Sequence, residues 1–187
     1  MNDREGADLG AQYLNELFSE LSAELDARGQ TAQLFVVGGA AMALAYDDGR
    51  LTRDVDAVFA PTSIVRELTE ELARRHGFEN DWINDAAKGF LPGQDENPRT
   101  VFESEALLVQ VASPEYLLAM KLHSGRVERD IDDAVKLYDL VGYTTVEQGL
   151  ALLEEKYPPG QLLPRHRYIV EDVAARAALE GKTSRRP

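Results

Sequence analysis

The sequence predicts an α+β fold: a small mixed β-sheet with flanking helices over about the first 110 residues, then a helical part. Three observations predict it. Short apolar runs rich in β-formers recur at residues 34–37, 55–59 and 106–111, with helical patterns between them. No comparable run follows Val111. Three strands are too few for a doubly wound sheet, so a small mixed sheet is the economical arrangement. The expected division is residues 1–112 for the α/β domain, 113–181 for the helical part and 182–187 for a disordered basic tail.

The elements follow in order. Over residues 8–28, Leu14, Leu17, Phe18, Leu21 and Leu25 recur at helical spacing, and Gly29 stands where a helix-ending glycine would. Residues 34–37 read as a buried strand. Gly38-Gly39 interrupts, and residues 40–45 have strong helix propensity. Residues 55–59 form the second strand. Pro61 then suits a first helical turn, and Ile64, Val65, Leu68 and Leu72 give that helix its apolar face. Residues 77–100 read as a loop or flap, with Pro92-Gly93 and Asn97-Pro98 as turns. Trp82 and Phe90 either anchor it or plug the core. The third strand, 106–111, leads to Ser113-Pro114-Glu115, a cap with proline at the first helical position. Helices are expected over 116–122, 127–141, 145–156 and 164–179. Gly125 and Pro158-Pro159-Gly160 are breaks, and Thr145 and Gln148 stand in capping-box spacing.

Composition narrows the function classes. The chain has 187 residues, 44% hydrophobic and 28% charged, which is globular rather than disordered. It has no cysteine, which excludes disulfides, zinc ribbons and thiol catalysis, and three scattered histidines do not suggest a transition-metal site. Net charge is −13, which disfavours non-specific grip on a nucleic-acid backbone but suits divalent cations. No apolar run is long enough to span a bilayer and the N-terminal residues are polar, so no membrane association and a cytoplasmic location are expected.

Four sites carry candidate chemistry. Asp54-x-Asp56 heads an apolar strand. Residues two apart on a strand share a face at about 7 Å between Cα atoms, so both carboxylates can share Mg²⁺, which prefers oxygen ligands. Gly38-Gly39, between a strand and a helix, lets backbone N–H groups point at an anion; a tight turn that needs positive φ reads the same way. It is neither a P-loop nor a dinucleotide fingerprint. Lys121 interrupts an apolar helix near its buried side. It either snorkels or points its ammonium at phosphate or carboxylate. Asp130 and Asp133, after Arg129, share a helical face and can pair with Lys121, bind water or stay solvated.

Together these sites resemble the nucleotidyltransferase-fold superfamily, and most closely the AbiEii-type nucleotidyltransferase toxins of toxin–antitoxin systems. The resemblance rests on Val37-Gly38-Gly39-Ala40-Ala41, on Thr52-Arg53-Asp54-Val55-Asp56, on the helix around Lys121 and on Arg129-Asp130 to Asp133. It covers residues 34–60 and 114–140. It implies Mg²⁺-dependent (or Mn²⁺-dependent) transfer of a nucleotidyl group from a nucleoside triphosphate to a macromolecular acceptor, with tRNA favoured, and a cognate antitoxin as partner. By the resemblance Asp54 and Asp56 hold the metals, Gly38, Gly39, Arg53 and Asp133 meet the nucleotide, Lys121 neutralises its charge, and Asp130 positions Lys121 or the acceptor. Two departures stand out. Ala40 replaces a serine common in relatives, and Gln110 stands where a third acid is expected, with Glu103 or Glu105 as substitutes. They favour one alternative, a catalytically weak nucleotide-binding regulatory or partner-binding module; a small-molecule nucleotidyltransferase is another. Arg165, His166, Arg167, Lys182, Arg185 and Arg186 offer a modest basic site for an RNA acceptor.

Overall fold

The computed structural model describes residues 8–125 and 128–184. The chain divides into two compact units. One comprises the described residues of Met1–Gly89 and Asn97–Ala112, the other those of Phe90–Glu96 and Ser113–Pro187.

The first unit holds helices α1 (Ala11–Ala27), α2 (Gly38–Ala45) and α3 (Thr62–His76). Its strands are β1 (Ala32–Val36), β2 (Val55–Ala60), β3 (Ile83–Asn84), β4 (Arg99–Glu103) and β5 (Leu107–Val111). They form one mixed sheet in the order β3-β2-β1-β5-β4. β1 pairs antiparallel with β2 and parallel with β5, and β4 pairs antiparallel with β5. Strand side chains alternate between two faces. Leu34, Val36, Val55, Ala57, Leu107, Val109 and Val111 are buried on one face, where the helices pack. Gln33, Phe35, Asp56, Val58, Leu108 and Gln110 belong to the other, which is half-buried or exposed.

The α+β fold class therefore holds, with a sheet larger than three strands. Residues 77–100 are not one loop. They contribute β3, a 3₁₀ turn at Ala86–Phe90 and the start of β4. β4 was illegible because neither of its faces is fully buried, so its sequence lacks a clean alternation. Trp82 is a core plug: it is 2% exposed and its indole N–H donates to the Thr69 carbonyl at 2.9 Å. Phe90 remains 57% exposed and plugs no core. α1 begins at Ala11 because Leu9 pairs instead with Thr52, the two exchanging backbone hydrogen bonds of 2.7 and 3.0 Å.

The second unit holds α4 (Pro114–Ser124), α5 (Glu128–Leu140), α6 (Val146–Lys156) and α7 (Pro164–Ser184). α4 and α7 each pack on α5 and α6. α7 continues past Leu179 to Ser184; the start expected at Val127 and the last three residues lie outside the described residues. The predicted caps form. Ser113 accepts from Tyr116 N, and Gln148 accepts from Thr145 N at 3.0 Å. The segment 90–96 is tied to α4. Asp95 takes Ser113 N at 2.6 Å and Ser113 Oγ at 2.8 Å, and Tyr116 Oη donates to Gly93 O at 2.7 Å. Burial, then the Asp95 charge, pushes the Tyr116 phenol up to about 12, so it stays a donor.

His166 closes the first turn of α7. It is 2% exposed, and its Nδ1 accepts from Leu163 N at 3.1 Å. Burial first, then the neighbouring His123 and Arg165, lowers its pKa. The neutral ring is the one that accepts, so the unfolded chain binds this proton more readily than the folded one. Stability is therefore expected to fall as pH drops through the ordinary histidine value of about 6.5 toward the lower folded value, and not to change from this group above it. His166→Gln, which keeps an acceptor but does not titrate, should show a smaller loss between pH 7 and 5 in thermal melts. Equal losses in both proteins would sink this assignment.

Candidate active site

The Gly38-Gly39 turn closes β1 and opens α2. Val37, at the cap, has extended backbone and donates its N–H to Asp56 O at 2.9 Å, which ties the turn to β2. Gly38 has φ +66°, a region side chains rarely adopt. A Cβ there would also lie 3.0 Å from Asp56 Oδ2, so the Asp56 carboxylate stands directly against the turn. A Cβ on Gly39 would lie 2.9 Å from Thr52 Oγ1 and 3.7 Å from Arg50 Nη2. The two glycines thus let a carboxylate and a hydroxyl close on one stretch of backbone, with the Arg50 guanidinium nearby at an ordinary contact distance.

Gly38→Ala is expected to destabilise the fold by about 1–2 kcal/mol, the usual cost of the left-handed region for an L-residue. That corresponds to a melting-temperature drop of roughly 2–8 °C in a chain of this size. A Gly38→Ala protein that melts with the wild type would show that the turn is not held in this conformation.

Asp56 is half-buried and is the second residue of β2, on the open face of the sheet. Asp54 precedes the strand in an exposed bend. It is therefore not a strand residue as the spacing suggested. Its orientation is set by the bend, where Thr52 Oγ1 donates to Asp54 O at 3.0 Å. Arg53 is exposed in the same bend. Thr52 itself is 6% exposed and is held by its pairing to Leu9. The structure brings Gly38 together with Asp56, and Gly39 together with Thr52 and Arg50. Sequence reasoning missed the part played by Thr52 and missed Arg50 altogether. Neither has a periodicity that flags it, and the Leu9 pairing that fixes Thr52 is distant in sequence.

Gln110, at the position where a third acid was expected, lies on β5. β1 lies between β5 and β2, so Gln110 is two strands from Asp56, roughly 10 Å across the sheet. It is half-buried and donates to Thr100 Oγ1 at 3.5 Å. Glu103 pairs with Leu108, Leu108 with Gln33 and Gln33 with Ala60, at the opposite end of the sheet from Asp56. The exposed Glu105 lies in the turn beyond that end. No third acid is supplied by β5 or by these two glutamates.

In the second unit, Lys121 is 7% exposed and does not snorkel. Its Nζ meets Asp130 Oδ1 at 2.6 Å and Asp133 Oδ2 at 2.9 Å, and Asp133 is 2% exposed. The spacing expected from the sequence does bring these three together: the two acids share the face of α5 that meets α4. Of the basic residues at the start of α7, Arg165 and Arg167 are exposed, beside a Tyr168 that is 70% exposed. His166 is buried and drops out of that group. Lys182, Arg185 and Arg186 lie outside the residues whose side chains are described.

Among the described residues, no group of three or more histidine, aspartate or glutamate side chains is placed to hold a metal ion by itself. No helix among them is long and apolar enough to cross a membrane.

Comparison with known proteins bears on the whole chain. A solved structure, that of an antigenic nucleotidyltransferase-like protein from Paracoccidioides brasiliensis, is similar at 19% identity with a TM-score of 0.45, over 89% of this chain and 95% of that chain. No curated protein matches the chain. The profile of a family described as nucleotidyltransferase of unknown function (DUF6036) matches residues 12–155. That span is well over half of the 187 residues, and the chain belongs to this nucleotidyltransferase family.

Proposed function

We propose that this protein transfers a nucleotidyl group from a nucleoside triphosphate to a macromolecular acceptor, with Asp54 and Asp56 as the metal-holding carboxylates. The observation that carries the reading is the Asp56 carboxylate against the positive-φ Gly38 turn, on the open face of the sheet. Family membership supports the reaction class.

The residues present fit Mg²⁺ or Mn²⁺. The donors are hard carboxylate oxygens, and two of them fall short of a full cage. Mg²⁺ is commonly held that way, by one or two carboxylates with water and substrate phosphates completing its shell. When bound, the ion would neutralise charge on the phosphates and stabilise the attacking and leaving oxygens. The chain's own residues do the rest. Asp54 and Asp56 orient the metal-bound triphosphate, and Gly38 and Gly39 let it approach the backbone at the start of α2. Exposed Arg53 adds positive charge beside the aspartates. In the reaction an acceptor hydroxyl oxygen bonds to the α-phosphorus. The bond to the bridging oxygen breaks, pyrophosphate leaves, and the hydroxyl proton passes to water. By the family resemblance Lys121, Asp130 and Asp133 serve the same chemistry. What supports them is a buried ammonium fixed by two carboxylates, an arrangement costly enough to need a reason.

The resemblance to AbiEii-type toxins extends the proposal to tRNA as acceptor, a cognate antitoxin as partner and the cytoplasm as location. Exposed Arg165, Arg167 and Tyr168 support an RNA acceptor, since cations and an aromatic face suit phosphate and base. A second reading, a nucleotide-binding module with weak catalysis, is favoured by one observation: β5 carries the amide of Gln110, which is no base, and Glu103 lies at the opposite end of the sheet from Asp56.

Incubating the pure protein with each labelled nucleoside triphosphate, Mg²⁺ and total RNA tests both. Label on RNA is the expected result. Nucleotide binding without transfer supports the module instead, and absence of both overturns the proposal.

A further inference from the structure

Arg50 follows the turn that ends α2. Its backbone N–H donates to Asp47 O at 2.9 Å, and Nη1 donates to Leu51 O at 3.5 Å. The half-buried side chain folds back toward the glycine turn, with Nη2 3.7 Å from where a Cβ on Gly39 would sit. The turn is therefore flanked by opposite charges, the Asp56 carboxylate at Gly38 and the Arg50 guanidinium at Gly39. The two cations suggested by sequence are placed differently. Arg53 is exposed in the bend, and Lys121 faces Asp130 and Asp133 within the second unit.

We infer that Arg50 is the phosphate-binding cation of the Gly38-Gly39 turn and contacts the triphosphate of the substrate nucleotide. The inference rests on the nucleotidyl-transfer reading and adds to it a residue which that reading did not contain. Its logic is electrostatic. A chain of net charge −13 repels a polyanion, and two aspartates repel it locally. The metal offsets the aspartates, and a fixed cation on the other side of the turn favours the phosphates further. Guanidinium suits this role because its planar fork binds two phosphate oxygens at once and its charge does not titrate. Thr52 Oγ1, 2.9 Å from where a Gly39 Cβ would lie, is what keeps this stretch of backbone bare of a side chain beside Arg50.

Calorimetry with Mg²⁺ and an α,β-methylene nucleoside triphosphate, which cannot react, tests the inference in the full chain. Inorganic tripolyphosphate serves as a second probe that lacks base and sugar. Arg50→Met is expected to weaken both probes by about tenfold or more, and Arg50→Lys by less. Mn²⁺ binding measured without nucleotide should not change in either variant, whereas the Asp54→Asn, Asp56→Asn double variant should lose it. Thermal melts check that each variant folds; if Arg50→Met does not, Arg50→Lys and Arg50→Gln carry the comparison. Wild-type affinity for both probes in folded Arg50 variants overturns the inference and leaves the proposed function standing. A wild-type protein that binds neither probe overturns both.

Discussion

The Asp54→Asn, Asp56→Asn variant is expected to lose affinity for a Mg²⁺–nucleoside triphosphate by on the order of 10²–10⁴. Each substitution keeps the side chain's shape and removes one charged oxygen donor. Interactions to charged groups contribute about 1.5–3 kcal/mol each, so losing two accounts for that range. The fold should survive, because Asp54 is exposed and Asp56 is half-buried on the open face of the sheet. Asp56→Asn alone should cost more than Asp54→Asn alone. Asp56 is fixed by β2 and by the Gly38 turn, whereas Asp54 sits in a bend and is freer to move. Titration calorimetry with a melt on the same samples reads both effects. A folded double variant that binds metal and nucleotide as the wild type does would remove the aspartates from the site.

Lys121→Met is expected to lower stability by about 3–5 kcal/mol, a drop of roughly 6–20 °C in melting temperature. Methionine replaces the stem's packing, so the loss measures the charge. Without the ammonium, the 2% exposed Asp133 loses its 2.9 Å cation contact, and Asp130 beside it loses one of 2.6 Å. The cost is that of buried carboxylates deprived of this cation, not the net value of the ion triad. The triple variant Lys121→Met, Asp130→Asn, Asp133→Leu should therefore recover most of the loss, since it removes the stranded charges too. A single variant that melts within about 1 kcal/mol of the wild type would show that the ammonium is not buried as described, and a snorkelling lysine would then be the better account.

Which features could be read from sequence follows from physical range. β1, β2 and β5 were legible because their buried faces are continuous apolar patterns. The caps at Ser113 and Thr145 were legible because capping is local to three or four residues. The grouping of Lys121 with Asp130 and Asp133 was legible as helical spacing plus one lysine too apolar in its surroundings to be ordinary. β3 has two residues and β4 has no fully buried face, so neither carries a signal above that of a loop. Strand order was not legible because chain order does not fix it: β5 returns parallel to β1 and takes the place beside it. Local spacing made the Gly-Gly turn and Asp-x-Asp legible as motifs, yet the bracing of Thr52 by Leu9 joins residues far apart in sequence, and no short window along the chain contains both.

The position of β1 also bears on how the chain emerges during synthesis. Its antiparallel partner β2 follows closely, but its parallel partner β5 is the last strand made. Until residue 111 leaves the ribosome, one side of an apolar central strand has unmatched N–H and C=O groups, the kind of edge that recruits other chains. Fragments ending before Leu107 should accordingly collect as insoluble aggregates, whereas those ending at or after Val111 have every sheet strand in hand. The assembly of the sheet-bearing half is thus timed by its final strand rather than by the Gly-Gly and Asp-x-Asp motifs made before it.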